Sequence, residues 1–285
     1  MRWFLNYLIA RFQALYEVDG KVSVDESMIK FKGRLSFRQY LPMKPTKWGV
    51  KVWVMAESST GYVTNFQVYA GREGSMEKGL AHRVVMDLAR PYYGSHLSIY
   101  MDNFYTGVNL LEEMKTHGLN ACGTVRANRA GLPKNERLRK KASMEKHEFR
   151  VAQKGELTFC IWQDTKTVML LSNHHDPTQT GTVNRRKDRA NQVPVVVPAS
   201  LADYQKYMKG VNLIKWLAIM DSSIDRRNGG GGCFSFSWLC PATMPTLLRG
   251  LLEEQPSETS TEATKAGWRT WQSSSSHHSE QGLFL

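Results

Sequence analysis

The stretch SVDESMIKFKGR, residues 23–34, decides how this chain is interpreted. Within the longer run KVSVDESMIKF it predicts a β-strand that follows a turn at Asp19-Gly20. Two adjacent carboxylates, Asp25 and Glu26, lie in the middle of this strand. Successive side chains of a strand point to opposite faces of a sheet. The two carboxylates are therefore expected to serve different purposes.

The rest of the chain is long enough for a buried core and is strongly basic. It has 285 residues, of which 41% are hydrophobic, and 38 Lys and Arg against 26 Asp and Glu. The basic excess makes a polyanion the first partner to consider. No apolar run reaches the roughly 18 residues that a membrane span needs, and MRWFLNYLIARFQALY predicts an amphipathic helix, not a signal peptide. The four cysteines are scattered without CxxC spacing, so neither a disulfide framework nor a zinc knuckle is indicated.

Two clusters carry much of the basic excess. Residues 126–150 contain nine Lys and Arg against three Glu, and NRRKDR follows at 184–189. Two interpretations stay open, a solvated face or loop and a surface that contacts DNA phosphates. The candidate DNA-binding residues are Arg126, Arg129, Lys140, Lys141, Arg185, Arg186 and Lys187.

Hydrophobic patterns predict a mixed α/β core. Three strand-like runs come first, then a helix ended by Pro91, a strand ending in MDN, a helix closed by Gly118 and a strand, LNACGTVRA. The predicted order is therefore β-β-β-α-β-α-β. The predicted divisions are an N-terminal helix (1–20), a first core part (21–126), a basic β-rich insertion (127–193), a core end with a helix over 200–220 (194–221) and a tail without packed structure (222–285).

Asp102 ends the fourth predicted strand. If that strand packs beside the first, Asp25 and Asp102 fall next to each other, and a cation between them would relieve their repulsion. Mg²⁺ or Mn²⁺ is the natural occupant, because both prefer carboxylate oxygens. Two alternatives stay open: Asp25 is a solvated residue of a polar strand face, or Asp102 and Asn103 form an Asx turn.

Longer motifs carry a family resemblance. The runs VDESMIKFKGRLSFRQYLPMKPTKWGVKVWV, IYMDNFYTGVNLLEEMKTHGLNACGTVRANR, LLSN and DYQKYMKGV closely resemble the piggyBac transposase family, over residues 5–221. The resemblance implies an RNase H-like α/β fold, a mixed sheet flanked by helices and interrupted by a small β-rich insertion. It also implies DNA cutting and rejoining at TTAA sites with Mg²⁺ or Mn²⁺, a homodimer and a nuclear location. The helix over 1–20 would be a remnant of the family's helical dimerisation and DNA-binding domain.

The resemblance implies that Asp25 and Asp102 are two of the family's metal-binding aspartates. At the third metal-binding position this chain departs from the family pattern. The family pattern YMGGVDLID reads YMKGVNLIK here, so Asn212 and Lys215 replace two acidic residues. An ammonium about 6 Å from a divalent ion is repelled by roughly 5 kcal/mol at an effective dielectric constant near 20. The leading interpretation is a catalytically inactive transposase-derived protein. The alternatives are a domesticated non-enzymatic DNA-binding protein and a residual metal-dependent nuclease that uses Asp25 and Asp102.

Overall fold

The computed structural model describes residues 2–31, 33–42, 44–71, 79–134, 144–186 and 192–213. Four of the predicted site residues lie outside these ranges, namely Lys140, Lys141, Lys187 and Lys215. The predicted tail, 222–285, also lies outside the described residues.

The described residues form four α-helices, eleven strands and a helical turn that begins at residue 210. The helices are α1 (Arg2–Leu15), α2 (Leu80–Ala89, followed by a 3-10 turn at Arg90–Tyr92), α3 (Val108–Thr116) and α4 (Ala199–Tyr207). The strands are β1 (Lys21–Lys30), β2 (Gln39–Tyr40), β3 (Trp48–Glu57), β4 (Val63–Val68), β5 (Ser98–Met101), β6 (Asn120–Thr124), β7 (Phe149–Lys154), β8 (Leu157–Gln163), β9 (Thr167–Ser172), β10 (Thr180–Arg186) and β11 (Gln192–Pro198). None of the described helices is both long and apolar enough to cross a membrane.

Nine strands form one mixed sheet. Its hydrogen-bonded order is β2-β3-β1-β5-β6-β9-β8-β7, and β4 also pairs with β3. Strands β3 and β4 run antiparallel to their neighbours, whereas β1 and β5, and β5 and β6, are parallel. The core order β4-β3-β1-β5-β6 confirms the predicted RNase H-like mixed sheet with flanking helices.

The strands after residue 144 extend this sheet. Strand β9 pairs with β6, and β8 and β7 follow it, so these strands share the central sheet. Only β10 and β11 form a separate two-stranded sheet among the described residues. The insertion is thus continuous with the core through β9, and its predicted boundaries at 127 and 193 stay predictions.

Both faces of the central strands are covered by apolar side chains. On one face Val22 and Val24 of β1 pack with residues of α2 and α3, such as Leu88 and Leu111. On the other face, β3 packs under α1, while β5 and β8 pack under α4. Burial of this apolar area is the main stabilising contribution to the fold. The partly exposed acidic residues of β1, such as Asp25, are therefore exceptions among these buried apolar side chains.

The predicted helix over 200–220 is wrong as a continuous element. Helix α4 ends at Tyr207, and a second helical turn begins at residue 210. Gly210 lies against β3 so closely that a Cβ atom there would be 2.5 Å from the Glu57 carbonyl oxygen. Hydrophobic spacing does not encode this tertiary contact.

Candidate functional site

Parallel pairing of β1 and β5 brings Asp25 and Asp102 together. The register aligns Val24 with Met101, so Asp25 and Asp102 are the next positions along the two strands. Their interaction is also electrostatic, because the charge of Asp25 contributes to raising the pKa of Asp102. The register and this interaction thus place the two carboxylates near each other, and their role as metal ligands stays a prediction.

Glu26 points to the other face of the sheet and pairs with lysine. By strand alternation it lies on the side of Val24, whereas Asp25 lies on the side of Ser23. Lys44 Nζ is 2.7 Å from Glu26 Oε1. Burial opposes ionisation of Glu26, but the Lys44 hydrogen bond and the charges of Lys44 and Lys51 together lower its pKa. The predicted structural role of Glu26 is consistent with this ion pair.

Asp102 forms an Asx turn, which was one of the alternatives that the sequence left open. Its Oδ1 accepts a hydrogen bond of 2.9 Å from the backbone N–H of Phe104. Burial is the largest cause that raises the pKa of Asp102, and the charges of Asp25 and Glu26 add to it. The turn and the convergence with Asp25 therefore coexist, and the folded protein holds this carboxylate at an electrostatic cost.

Because of this electrostatic cost, we expect Asp102→Asn to increase the free energy of unfolding by an amount that depends on pH. A raised folded-state pKa means that stability falls as pH rises from the unfolded-state pKa through the folded-state pKa. The variant should increase the free energy of unfolding at pH 7, since asparagine keeps the Oδ1 acceptor and removes the charge. The gain should vanish at acid pH, where Asp102 is protonated in both states. Urea denaturation of both proteins across the acid range measures it.

Asp176→Asn is the matched control. Asp176 also caps a turn, accepting from the Thr178 N–H at 2.7 Å, but its pKa is lowered by the Thr178 hydrogen bonds. Asparagine there should decrease stability at pH 7 or leave it unchanged. A destabilised Asp102→Asn protein at pH 7 would contradict the electrostatic account of the site.

The segment that carries Asn212, the third position of the predicted acidic set, lies beside the face of β1 that carries Asp25. The backbone N–H of Val211 donates to Ser23 Oγ at 3.1 Å, and Val211 is buried. Asn212, the next residue, is exposed. Asp203 on α4 is not a substitute, because it lies 3.3 Å from His175 Nε2 and this hydrogen bond lowers its pKa.

The described residues do not complete a two-metal site. They contain no group of three or more His, Cys, Asp or Glu that could hold a metal ion. Asp25 and Asp102 supply carboxylate oxygens, but one oxygen of Asp102 already accepts the Phe104 amide. Two-metal phosphoryl transfer needs ligands for both ions and open positions for substrate. The donor set therefore does not fit the metal pair that the resemblance implies.

The predicted DNA-binding arginines occupy two different settings. Arg126 Nε donates to Asn103 Oδ1 at 2.9 Å, and Arg129 donates to the carbonyl oxygens of Asn103 and Phe104 at 3.0 and 2.5 Å. Both arginines therefore stabilise the loop that follows Asp102 by hydrogen bonds.

The other two described arginines belong to β10. The guanidinium of Arg185 lies 4.8 Å from the Trp162 ring centroid, and its Nε is 3.4 Å from Asp164 Oδ2. Arg186 is exposed. Of the described candidates, Arg126 and Arg186 offer the most exposed side chains to an external anion.

Sequence reasoning missed Lys51 and Tyr105 at this site. Lys51 Nζ lies 5.5 Å from the Trp53 ring and 5.4 Å from the Phe104 ring. Tyr105 is buried, and after burial the charges of Glu26, Asp25 and Asp102 raise its pKa. Strand register determines the placement of Lys51, and the turn after β5 determines that of Tyr105; no local pattern signals either.

The comparisons with known proteins agree with this geometry. A family model described as Transposase IS4 matches residues 1–223. Human piggyBac transposable element-derived protein 3 is 28% identical over 200 residues, 67% of this chain and 33% of that protein. Human piggyBac transposable element-derived protein 5 is 26% identical over 171 residues, 56% of this chain and 32% of that protein. The chain thus spans about a third of the length of these relatives.

A solved structure shares the fold. The cryo-EM structure of a piggyBac transposase synaptic complex with hairpin DNA matches with a TM-score of 0.65 and 26% identity, over 76% of this chain and 44% of that one. The family model covers well over half of the chain, and the solved structure shares its fold. This chain therefore belongs to the piggyBac-type family of IS4 transposases.

Proposed function

We propose that this chain is a transposase-derived domain that keeps the catalytic fold and has lost DNA strand cleavage. The observation that carries the proposal is the neutral amide of Asn212, next to the residue whose backbone contacts Ser23 beside Asp25. Catalysis by this fold requires acidic ligands that hold Mg²⁺ or Mn²⁺, and Asp25 and Asp102 remain as two such groups. With Asn212 and Lys215 at the degenerate positions, metal binding is impaired.

DNA is the proposed partner, and the nucleus is the proposed location. Membership of a transposase family and the net charge of +12 support both. Contacts from basic side chains to phosphates release counterions, so binding should weaken steeply as salt rises. Preference for TTAA sites and assembly as a homodimer are family properties that we extend to this chain. Salt-sensitive binding without TTAA preference would favour the domesticated, non-enzymatic interpretation.

Restoring the two acidic residues tests the loss of metal binding. The full chain and its Asn212→Asp, Lys215→Asp variant are titrated with Mn²⁺, and binding is followed by calorimetry. The variant gains two carboxylates and loses an ammonium, so it should bind Mn²⁺ at least about tenfold tighter, which corresponds to about 1.4 kcal/mol. Adding Asp102→Asn to the repaired protein should remove most of that gain.

Asn184→Asp is the matched control, because it adds a carboxylate at an exposed position of β10. Equal Mn²⁺ affinity of the natural and repaired proteins would overturn the proposal. So would Mn²⁺-dependent strand cleavage by the natural chain that Asp102→Ala abolishes, since that result identifies a residual nuclease.

A further inference from the structure

A second concave site lies at the far end of β1, beyond the carboxylates. It is a cavity of about 490 Å³ between the end of β1, the segment 45–47 and the start of β3. Lys30, five residues beyond Asp25 on β1, lines it, which corresponds to about 17 Å along the strand. The cavity is therefore distinct from the site of Asp25 and Asp102.

The exposed aromatic ring of Trp48 lines this cavity, and the ring of Tyr40 lies next to it. Trp48 is 50% exposed, and its ring centroid lies 4.6 Å from that of Tyr40, which is 49% exposed. The Arg38 guanidinium lies 4.8 Å from the Trp48 centroid. The planes of the two rings are inclined by 37°, so the half-exposed Trp48 ring itself is the surface on which another flat ring can stack.

The cavity is positively charged. Lys30, Arg38 and Lys47 line it, and none of the described residues that line it is acidic. Glu26, four residues before Lys30 on β1, is paired with Lys44 at 2.7 Å. The lining charges therefore favour an anionic ligand, and the rings favour one that also carries a flat aromatic group.

We propose that this cavity binds an unpaired nucleotide of single-stranded DNA. The base stacks on Trp48, and Lys30 and Lys47 contact the flanking phosphates. Bases of an intact duplex are covered by their neighbours, so only an unpaired base offers its face to Trp48. Nonspecific single-strand binding combines an aromatic platform with a basic groove in this way. The proposal goes beyond the loss of cleavage, and it requires no metal ion.

The test separates base stacking from phosphate attraction. A labelled ten-nucleotide oligo(dT) and an abasic strand of equal length and charge are titrated with the full chain in EDTA, and fluorescence anisotropy is recorded. Oligo(dT) should bind about tenfold tighter than the abasic strand, the gain typical of one stacked base. Because no metal is present, this result is independent of the Asn212 and Lys215 experiment.

Variants of Trp48 test whether the base of oligo(dT) binds in this cavity. Trp48→Ala should weaken oligo(dT) binding about tenfold and leave abasic binding unchanged, whereas Trp48→Phe should keep most of the affinity. Val196→Ala is the control, because Val196 is 57% exposed on β11 and does not line the cavity. It should bind as the natural chain does. Circular dichroism checks that each variant is folded.

Three results would overturn the proposal. Equal affinity for oligo(dT) and the abasic strand would mean that only phosphates are recognised. Equal loss in Trp48→Ala and Val196→Ala would show that the base does not bind in this cavity. Loss of affinity in Trp48→Phe as large as in Trp48→Ala would exclude stacking, since phenylalanine keeps a ring.

Discussion

Replacing Asn173 by alanine should lower the free energy of unfolding by about 4 kcal/mol, since three buried backbone groups lose a partner. Asn173 is 1% exposed. Its Nδ2 donates to the carbonyl oxygens of Leu111 at 3.0 Å and Leu119 at 3.2 Å. Its Oδ1 accepts from the Ala121 N–H at 2.6 Å. One side chain thus joins the end of β9 to α3 and to the start of β6.

Urea denaturation followed by circular dichroism measures the loss, and an unchanged slope with denaturant shows that the unfolding transition is comparable. Asn173→Asp keeps the acceptor and loses the donor, so it should also be strongly destabilised. The control is Asn184→Ala on exposed β10, where the change should stay within about 0.5 kcal/mol. If Asn173→Ala cost no more than Asn184→Ala, the three hydrogen bonds would not act as a clamp.

The sheet and the carboxylate pair were predictable because their causes are largely local. Apolar periodicity defines β1 and β5, and one parallel pairing is enough to place Asp25 beside Asp102. The role of Glu26 follows from strand alternation in the same way. Its partner Lys44 was not predictable, since the loop that carries it has no periodicity and its position depends on tertiary packing.

The features that sequence reasoning missed depend on contacts between distant segments. Asn173 stands in the LLSN motif, which supported the family resemblance but carries no local sign that its side chain reaches α3 and β6. The break after Tyr207 arises where Gly210 meets β3, and periodicity alone predicts one continuous helix. Strands β7, β8 and β9 also belong to the mixed sheet, because β9 pairs with β6.

Gly123→Ala should destabilise the protein by about 3 kcal/mol, because an added methyl group meets backbone that has no room to move. Gly123 on β6 is paired with Met101 on β5. A Cβ atom there would lie 2.5 Å from the Met101 carbonyl oxygen and, more closely still, against Thr106 Oγ1. Thr106 Oγ1 itself donates to the Asp102 carbonyl oxygen at 2.8 Å. The absence of a side chain at position 123 therefore sets where Asp102 lies.

This close contact links stability to the geometry of the site. If alanine at 123 displaces the end of β5, Asp102 moves away from Asp25, and the stabilisation expected for Asp102→Asn at pH 7 should shrink in the Gly123→Ala background. A double-mutant cycle with urea denaturation measures that coupling, which we expect to exceed about 0.5 kcal/mol.

Gly107→Ala provides the matched control in the same loop. No neighbouring atom lies within 4 Å of an added Cβ atom there, and its backbone is extended. It should cost less than about 1 kcal/mol, the loss of a favourable helix N-cap, and show no coupling to Asp102. Additive effects of Gly123→Ala and Asp102→Asn would mean that the strand end carrying Asp102 is held independently of β6. Gly123 would then stabilise the sheet without positioning the carboxylate pair.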